Sequence, residues 1–158
     1  MLKGLDPLLS PELLHALAAM GHGDEVVVAD ANFPAASLAR RLVRLDGADG
    51  PRAVRAVLSV LPLDTFTRTP AAVMAVVGAP EVVPAPVREF RALLDAAAGH
   101  PVEVEILERS AFYERARTAF VIVATSEPRA YGNLILIKGV VTPSDQPLSA
   151  PTKSPRAM

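Results

Sequence analysis

Three histidines, His15, His22 and His100, are the side chains of this sequence best suited to moving protons near neutral pH, because an imidazole with an ordinary pKa of ~6.5 both gives and accepts one there. Two of them have plain surroundings. His15 follows Leu14 inside an apolar-periodic stretch, as a packed or solvent-facing helical histidine does, and His100 precedes Pro101 in a turn. His22 differs: Gly21 and Gly23 flank it, Asp24 follows, and Asp30 stands beyond a short apolar run. Ligands of open α/β sheets bind outside the carboxyl ends of strands, which is where Asp30 falls. The same residues also fit ordinary turns. Gly21-His22-Gly23-Asp24 reads equally as a helix C-cap joined to a turn, and Asp30-Ala31-Asn32-Phe33-Pro34 as a strand-to-helix turn in which Asp or Asn caps the next helix.

Other polar groups are open to two readings as well. Arg109, Tyr113, Glu114 and Arg115 lie at helical spacing, where such charges form a solvated face or an ion pair. In Tyr131-Gly132-Asn133 the glycine lets backbone approach a ligand, while Tyr supplies a ring and Asn paired donors and acceptors, but turn chemistry explains the tripeptide about as well. His22-x-Asp24 lacks further ligands at zinc spacing, so no metal site is expected. The absence of Cys excludes disulfides, thiolate ligands and a cysteine nucleophile. No Walker loop, dinucleotide fingerprint or nucleophile elbow is present, which removes the main support for nucleotide, nicotinamide and serine-hydrolase readings. Sixteen basic and seventeen acidic residues leave a net charge of −1 with no like-charge run, and aromatics make up only 4%. A nucleic-acid partner is therefore not expected.

The elements that must position these groups follow from periodicity. Ser10-Pro11-Glu12 marks a helix start, with Ser as N-cap and Pro at the first helical position, and Gly21 is placed to end that helix as a left-handed C-cap. Val26-Val27-Val28-Ala29 lacks alternation, as a strand covered on both faces does. Helices are expected over about 35–44, 51–60, 86–98 and 111–117, the last capped by Ser110. Strands are expected over 72–77, 102–107, 120–124 and 134–137. Strands interleaved with helices give an α/β fold class: a single three-layer α/β/α domain with a mixed, largely parallel sheet. The apolar runs are too short to span a bilayer, and Met1-Leu2-Lys3-Gly4-Leu5-Asp6 does not resemble a secretory signal, so no membrane partner and a cytoplasmic address are expected. The domain is expected over residues 1–141. The Pro- and Ser-rich residues 142–158 lack periodicity and read as a flexible tail.

Five stretches, in this order and spacing, carry a family resemblance: Ser10-Pro11-Glu12-Leu13-Leu14, Met20-Gly21-His22-Gly23-Asp24-Glu25, Asp30-Ala31-Asn32-Phe33-Pro34, Ala111-Phe112-Tyr113-Glu114-Arg115-Ala116 and Tyr131-Gly132-Asn133. Together they resemble the ribose pyranase and fucose mutarotase family, closest to its fucose mutarotase branch, over roughly residues 1–143. The resemblance implies that His22 is the catalytic proton donor and that Asp30, Arg109, Tyr131, Gly132 and Asn133 make up the substrate site. It implies a three-layer α/β/α fold, a monosaccharide substrate such as L-fucose, no cofactor, and a ring-based homo-oligomer, a homodecamer in bacterial members, with sites near subunit contacts. The tail beyond Thr142 and the Pro-rich stretch 80–86 depart from the family pattern without touching its motif residues.

Interconverting the α and β anomers of a pyranose requires a proton on the ring oxygen, loss of one from the anomeric hydroxyl, and rotation of the opened aldehyde before reclosure. His22 is expected to donate to the ring oxygen. Asp30 is expected to orient His22 or bind a sugar hydroxyl, Arg109 to offer a charge-assisted fork, and Tyr131 and Asn133 to fix the sugar's register. The competing expectations are pyranose to furanose conversion of ribose through the same opened chain, and a non-catalytic sugar-binding module, which has no need of an imidazole.

Overall fold

Val26, Val27, Val28 and Ala29 are fully buried, and each apolar side chain removed from water in this way contributes roughly 1.5–3 kcal/mol for a valine-sized group. They belong to β1 (Glu25–Ala29), a central strand of the six-stranded sheet in this computed structural model, which describes residues 1–146. The other elements, in chain order around β1, are α1 (Pro11–Ala19), α2 (Ala35–Leu38), β2 (Leu42–Leu45), α3 (Gly50–Leu58), β3 (Ala71–Met74), α4 (Ala85–Ala98), β4 (Val104–Leu107), α5 (Arg109–Thr118), β5 (Val121–Thr125) and β6 (Leu134–Ile137).

The strand order is β2-β5-β1-β6-β3-β4. β1 and β2 pair parallel with β5, and β3 pairs parallel with β4, while β6 runs antiparallel to both its neighbours, β1 and β3. Five strands therefore point one way and β6 alone points the other, the mixed, largely parallel sheet expected. Alternate residues of each strand face opposite layers. On one face Val26, Val28, Val121, Val123, Leu134 and Leu136 pack against α1, α3 and α4 through Leu13, Val54 and Phe90; on the other, Val27, Ile122 and Ile135 pack against α2 and α5 through Leu38 and Phe112. The domain has three layers.

Ser10 caps α1 as expected, its Oγ accepting from the Leu13 N–H at 3.2 Å. Three other expectations need correction. Residues 35–44 are not one helix: α2 is a single turn and Leu42-Val43-Arg44-Leu45 forms the edge strand β2, with Val43 and Leu45 inside and Leu42 and Arg44 outside. Good helix formers at 35–41 hid this period of two, which pairing with β5 makes decisive. The left-handed glycine after α1 is Gly23 (φ 85°) rather than Gly21, because Met20 leaves the helix in an extended conformation. Ser110 lies inside α5, which starts at Arg109 with Glu108 in the cap position and no capping side-chain bond.

Beyond β6, Pro143–Asp145 forms a short 3-10 turn closed by reciprocal bonds between Thr142 and Asp145. Most of the expected tail, residues 147–158, lies outside the described residues. Among the described residues, no helix is long and apolar enough to cross a membrane.

Candidate functional site

The strand directions put the expected site residues on two opposite edges of the sheet. Asp30 follows the end of β1, Arg109 the end of β4, and Asn133 precedes the reversed strand β6, so all three stand at the edge where the parallel strands finish. His22 precedes β1 and stands at the edge where they begin. Five residues of strand lie between, or about 16 Å at ~3.3 Å per residue.

At the carboxyl edge Asp30 and Asn133 are both buried and satisfy each other. The Asp30 N–H donates to Asn133 Oδ1 at 2.9 Å, and Asn133 Nδ2 donates to Asp30 Oδ2 at 2.8 Å. Asp30 Oδ1 also accepts from the Asn32 N–H at 2.9 Å, which folds the 30–34 turn. That turn is local chemistry of the expected kind, but it does not cap α2, whose cap position is Pro34. Asp30, Arg109, Tyr131 and Asn133 line one open cleft of about 230 Å³, walled by Phe33, Met74 and Tyr113. Phe33 is fixed edge-on to both Phe112 and Tyr113, with ring centres 6.0 and 5.4 Å apart, a preferred aromatic geometry that stiffens the wall.

Tyr131 adopts a left-handed backbone conformation with φ 62°, uncommon for a residue with a side chain. Its hydroxyl accepts from the Val77 N–H at 3.2 Å, in the segment that follows β3. Gly132 is needed for space: a Cβ there would come within 2.7 Å of Glu127 Cγ and 3.2 Å of the Arg129 carbonyl oxygen. The residues thus brought together offer a buried carboxylate, an amide, a guanidinium and a phenol around a space suited to a small polyhydroxylated molecule.

At the opposite edge the Gly21 N–H donates to Asp24 Oδ2 at 2.8 Å and the Gly23 N–H to the Lys138 carbonyl at 2.8 Å, which close the loop that holds His22. Neither Asp24 nor Asp30 is the partner of the imidazole. His22 Nε2 meets Asp64 Oδ1 at 3.0 Å, with about half of the His22 side chain exposed and that of Asp64 almost entirely covered. Burial pushes the Asp64 carboxyl up, but hydrogen bonds from the Thr67 hydroxyl and N–H, His22 and the Phe66 backbone outweigh it and hold the group below the ordinary aspartate range. Asp64 therefore stays a carboxylate at neutral pH, able to orient the ring. The Phe66 ring lies 5.0 Å from the imidazole, centre to centre, and is largely exposed.

Asp64 was missed in the sequence because it lies 42 residues from His22 in a Leu- and Pro-containing loop without spacing or periodicity. His15 and His100 are exposed, and His100 Nδ1 contacts its neighbour's carbonyl, the Pro101 oxygen, at 2.9 Å. Among the described residues, no three His, Asp or Glu side chains gather as metal ligands do.

Residues 3–141 match the RbsD / FucU transport protein family. The chain is 50% identical to the fucose mutarotase of Homo sapiens over 146 residues, 89% of this chain and 94% of that one. It is 41% identical to an L-fucose mutarotase of Actinobacillus pleuropneumoniae over 140 residues, 89% of this chain and 97% of that one. The crystal structure of the Streptococcus pneumoniae fucose mutarotase in complex with L-fucose superposes with a TM-score of 0.83 at 39% identity, covering 89% of this chain and 100% of that one. By sequence and by fold, this chain belongs to the RbsD/FucU family.

Proposed function

We propose that this chain is an isomerase that interconverts the anomers of L-fucose or a closely related pyranose by acid–base ring opening. The observation that carries the reading is the combination of a polar cleft of single-sugar size with an imidazole backed by a buried carboxylate. A sugar-binding module needs the first and has no use for the second. The extent of identity with fucose mutarotases, about nine-tenths of the chain, supports the same substrate class.

In this reading Asp30, Arg109 and Asn133 hold ring hydroxyls, with Tyr131 setting the sugar's register, Gly132 allowing the backbone to pass, and His22 carrying the proton to and from the ring oxygen, while the anomeric hydroxyl gives its proton to solvent water in the open cleft and regains one on reclosure. Asp64 keeps the imidazole oriented. Ring opening and reclosure use the same groups in reverse, so no cofactor takes part. General acid–base catalysis of this kind contributes about 10² to 10⁴-fold, or roughly 3 to 5 kcal/mol.

The two edges of one chain do not meet, and we infer that they meet between copies. A head-to-tail contact places the His22 edge of one copy against the cleft edge of the next, and repetition of such a contact closes into a ring. Exposed apolar side chains on both edges, Phe66 beside His22 and Val77 beside the cleft residue Tyr131, support that contact. A homodecamer built on rings fits the family resemblance. We read residues 1–141 as the working module, and the cytoplasm as its compartment.

The test is saturation-transfer NMR between the anomers of L-fucose. His22→Ala is expected to lower the exchange rate by about 10² to 10⁴-fold with an unchanged circular dichroism spectrum, and an unaltered rate would end the assignment.

A further inference from the structure

Glu127 follows β5 at the carboxyl edge and is fully buried, an arrangement that is stable only where the charge is paired and hydrogen-bonded. Its Oε1 accepts from the Arg129 N–H at 3.0 Å and from Arg129 Nε at 2.8 Å. Its Oε2 accepts from Arg129 Nη2 at 3.0 Å and from the Gly50 N–H, at the first residue of α3, at 3.1 Å. Arg129 extends onward to Glu89 on α4. The backbone carbonyl of Glu127 accepts from the Ala31 N–H at 2.9 Å, next to Asp30. Gly132 packs directly on the Glu127 side chain and the Arg129 carbonyl. The ion pair thus ties α3 and α4 to the segment 127–132, and the Glu127 carbonyl ties that segment to the 30–34 turn, so two walls of the cleft rest on it.

Between the pair and Asn133 the chain passes through Tyr131 in its left-handed conformation. A side-chain-bearing residue stays there only when its surroundings over-determine it. Asp30 and Asn133 close on each other through two hydrogen bonds of their own. Among the described residues, the one hydrogen bond of the Tyr131 side chain is that from the Val77 N–H.

We propose that Glu127 and Arg129 are positioning residues, which clamp residues 127–132 so that Tyr131 is held strained while it lines the sugar cleft. The pair touches no substrate and acts through Tyr131. This deepens the mutarotase reading, and its activity arm rests on that reading, whereas its spectroscopic arm does not.

The chain has two tyrosines and no tryptophan, so 3-fluorotyrosine labelling yields two ¹⁹F resonances, assigned with Tyr131→Phe. Tyr113, seated on Phe33, is the internal reference. In Glu127→Gln and in Arg129→Gln the Tyr131 resonance is expected to shift or broaden while that of Tyr113 stays. In exchange kinetics each variant is expected to lower kcat/KM about tenfold in the native background and less than about twofold in a Tyr131→Ala background, because residues acting as a unit are non-additive. A merely structural role would give equal losses in both backgrounds, and that result, or an unmoved Tyr131 resonance, overturns the proposal. Arg129 is partly exposed, so its variant decides the matter where Glu127→Gln does not fold. A native protein without anomer exchange refutes the mutarotase reading and leaves the ¹⁹F result to judge the clamp.

Discussion

The two edges of the sheet differ in how they hold their polar groups. At the carboxyl edge Asp30, Asn133 and Glu127 are buried and bonded to one another's loops, so the groups are rigid and their removal reaches into the fold. At the amino edge, among the described residues, the buried member is Asp64, and its partner, His22, is half in solvent on a glycine-flanked loop. The difference fits the two tasks proposed for these edges. Selecting a sugar by its hydroxyls needs fixed donors and acceptors, whereas passing a proton to and from a ring oxygen needs one oriented group with room to approach.

The largest expected effect comes from separating the edges onto different chains. His22→Ala and Arg109→Ala each leave one edge intact, and both residues are exposed enough to be replaced without disturbing packing. Each variant alone is expected to be nearly inactive in anomer exchange. Assemblies formed by co-expressing the two in equal amounts are expected to recover about one quarter of the native sites, since a head-to-tail contact pairs one edge from each copy at random. Absence of recovery in mixed assemblies of native size would show that the two edges do not serve one site.

A second contrast lies in stability. Asn133→Ala strands the buried Asp30 N–H and carboxylate, and leaving a buried polar group unsatisfied costs about 1–3 kcal/mol. His22→Ala removes one partner of Asp64, which keeps its two bonds from Thr67, and is expected to cost less than Asn133→Ala, about 1 kcal/mol or below. Chemical denaturation of both variants measures the difference. Equal stability losses would mean that the carboxyl edge is no more integral to the fold than the loop opposite.

Much of this was legible in the sequence, and the reason is local. Val26 to Ala29 announced a doubly covered strand, Ser10-Pro11 a helix start, and the alternation of strands and helices the three layers, because each signal is carried by neighbours in the chain. Asp30 and Asn133 stood out for the same reason, each beside a strand end. What stayed hidden depends on pairing across the fold. β2 is a strand because β5 lies beside it, Asp64 is a partner of His22 because β6 and the 63–67 loop bring it there, and Glu127 looks like one more loop glutamate until Gly50 and Arg129 enclose it. Nor do residue types reveal that His22 and Asp30, eight positions apart, end on opposite edges; that follows only once the segment between them is extended along the full height of the sheet.

Acid provides the finest distinction between the edges. Glu127 is held down at about 2, from an ordinary value of 4.5, chiefly by the Arg129 side chain, with burial opposing and the Arg129 and Gly50 N–H groups assisting. Asp64 is also lowered from its ordinary 3.8, through Thr67, His22 and Phe66 against the larger single effect of burial. For both, the folded-state pKa lies below the unfolded one, so the stabilisation is complete above the unfolded value and drains away as pH falls through the folded one. The window for Glu127 therefore runs from 4.5 down to about 2. Between about pH 6 and about pH 3 the melting temperature of the native protein is expected to fall more steeply than that of Glu127→Gln, which has no proton to take up at that position. Asp64→Asn is expected to flatten the same profile less, since its window opens only at 3.8, below the 4.5 of Glu127. Parallel profiles for the native protein and Glu127→Gln would mean that the carboxyl edge owes nothing to the ionised pair beneath it.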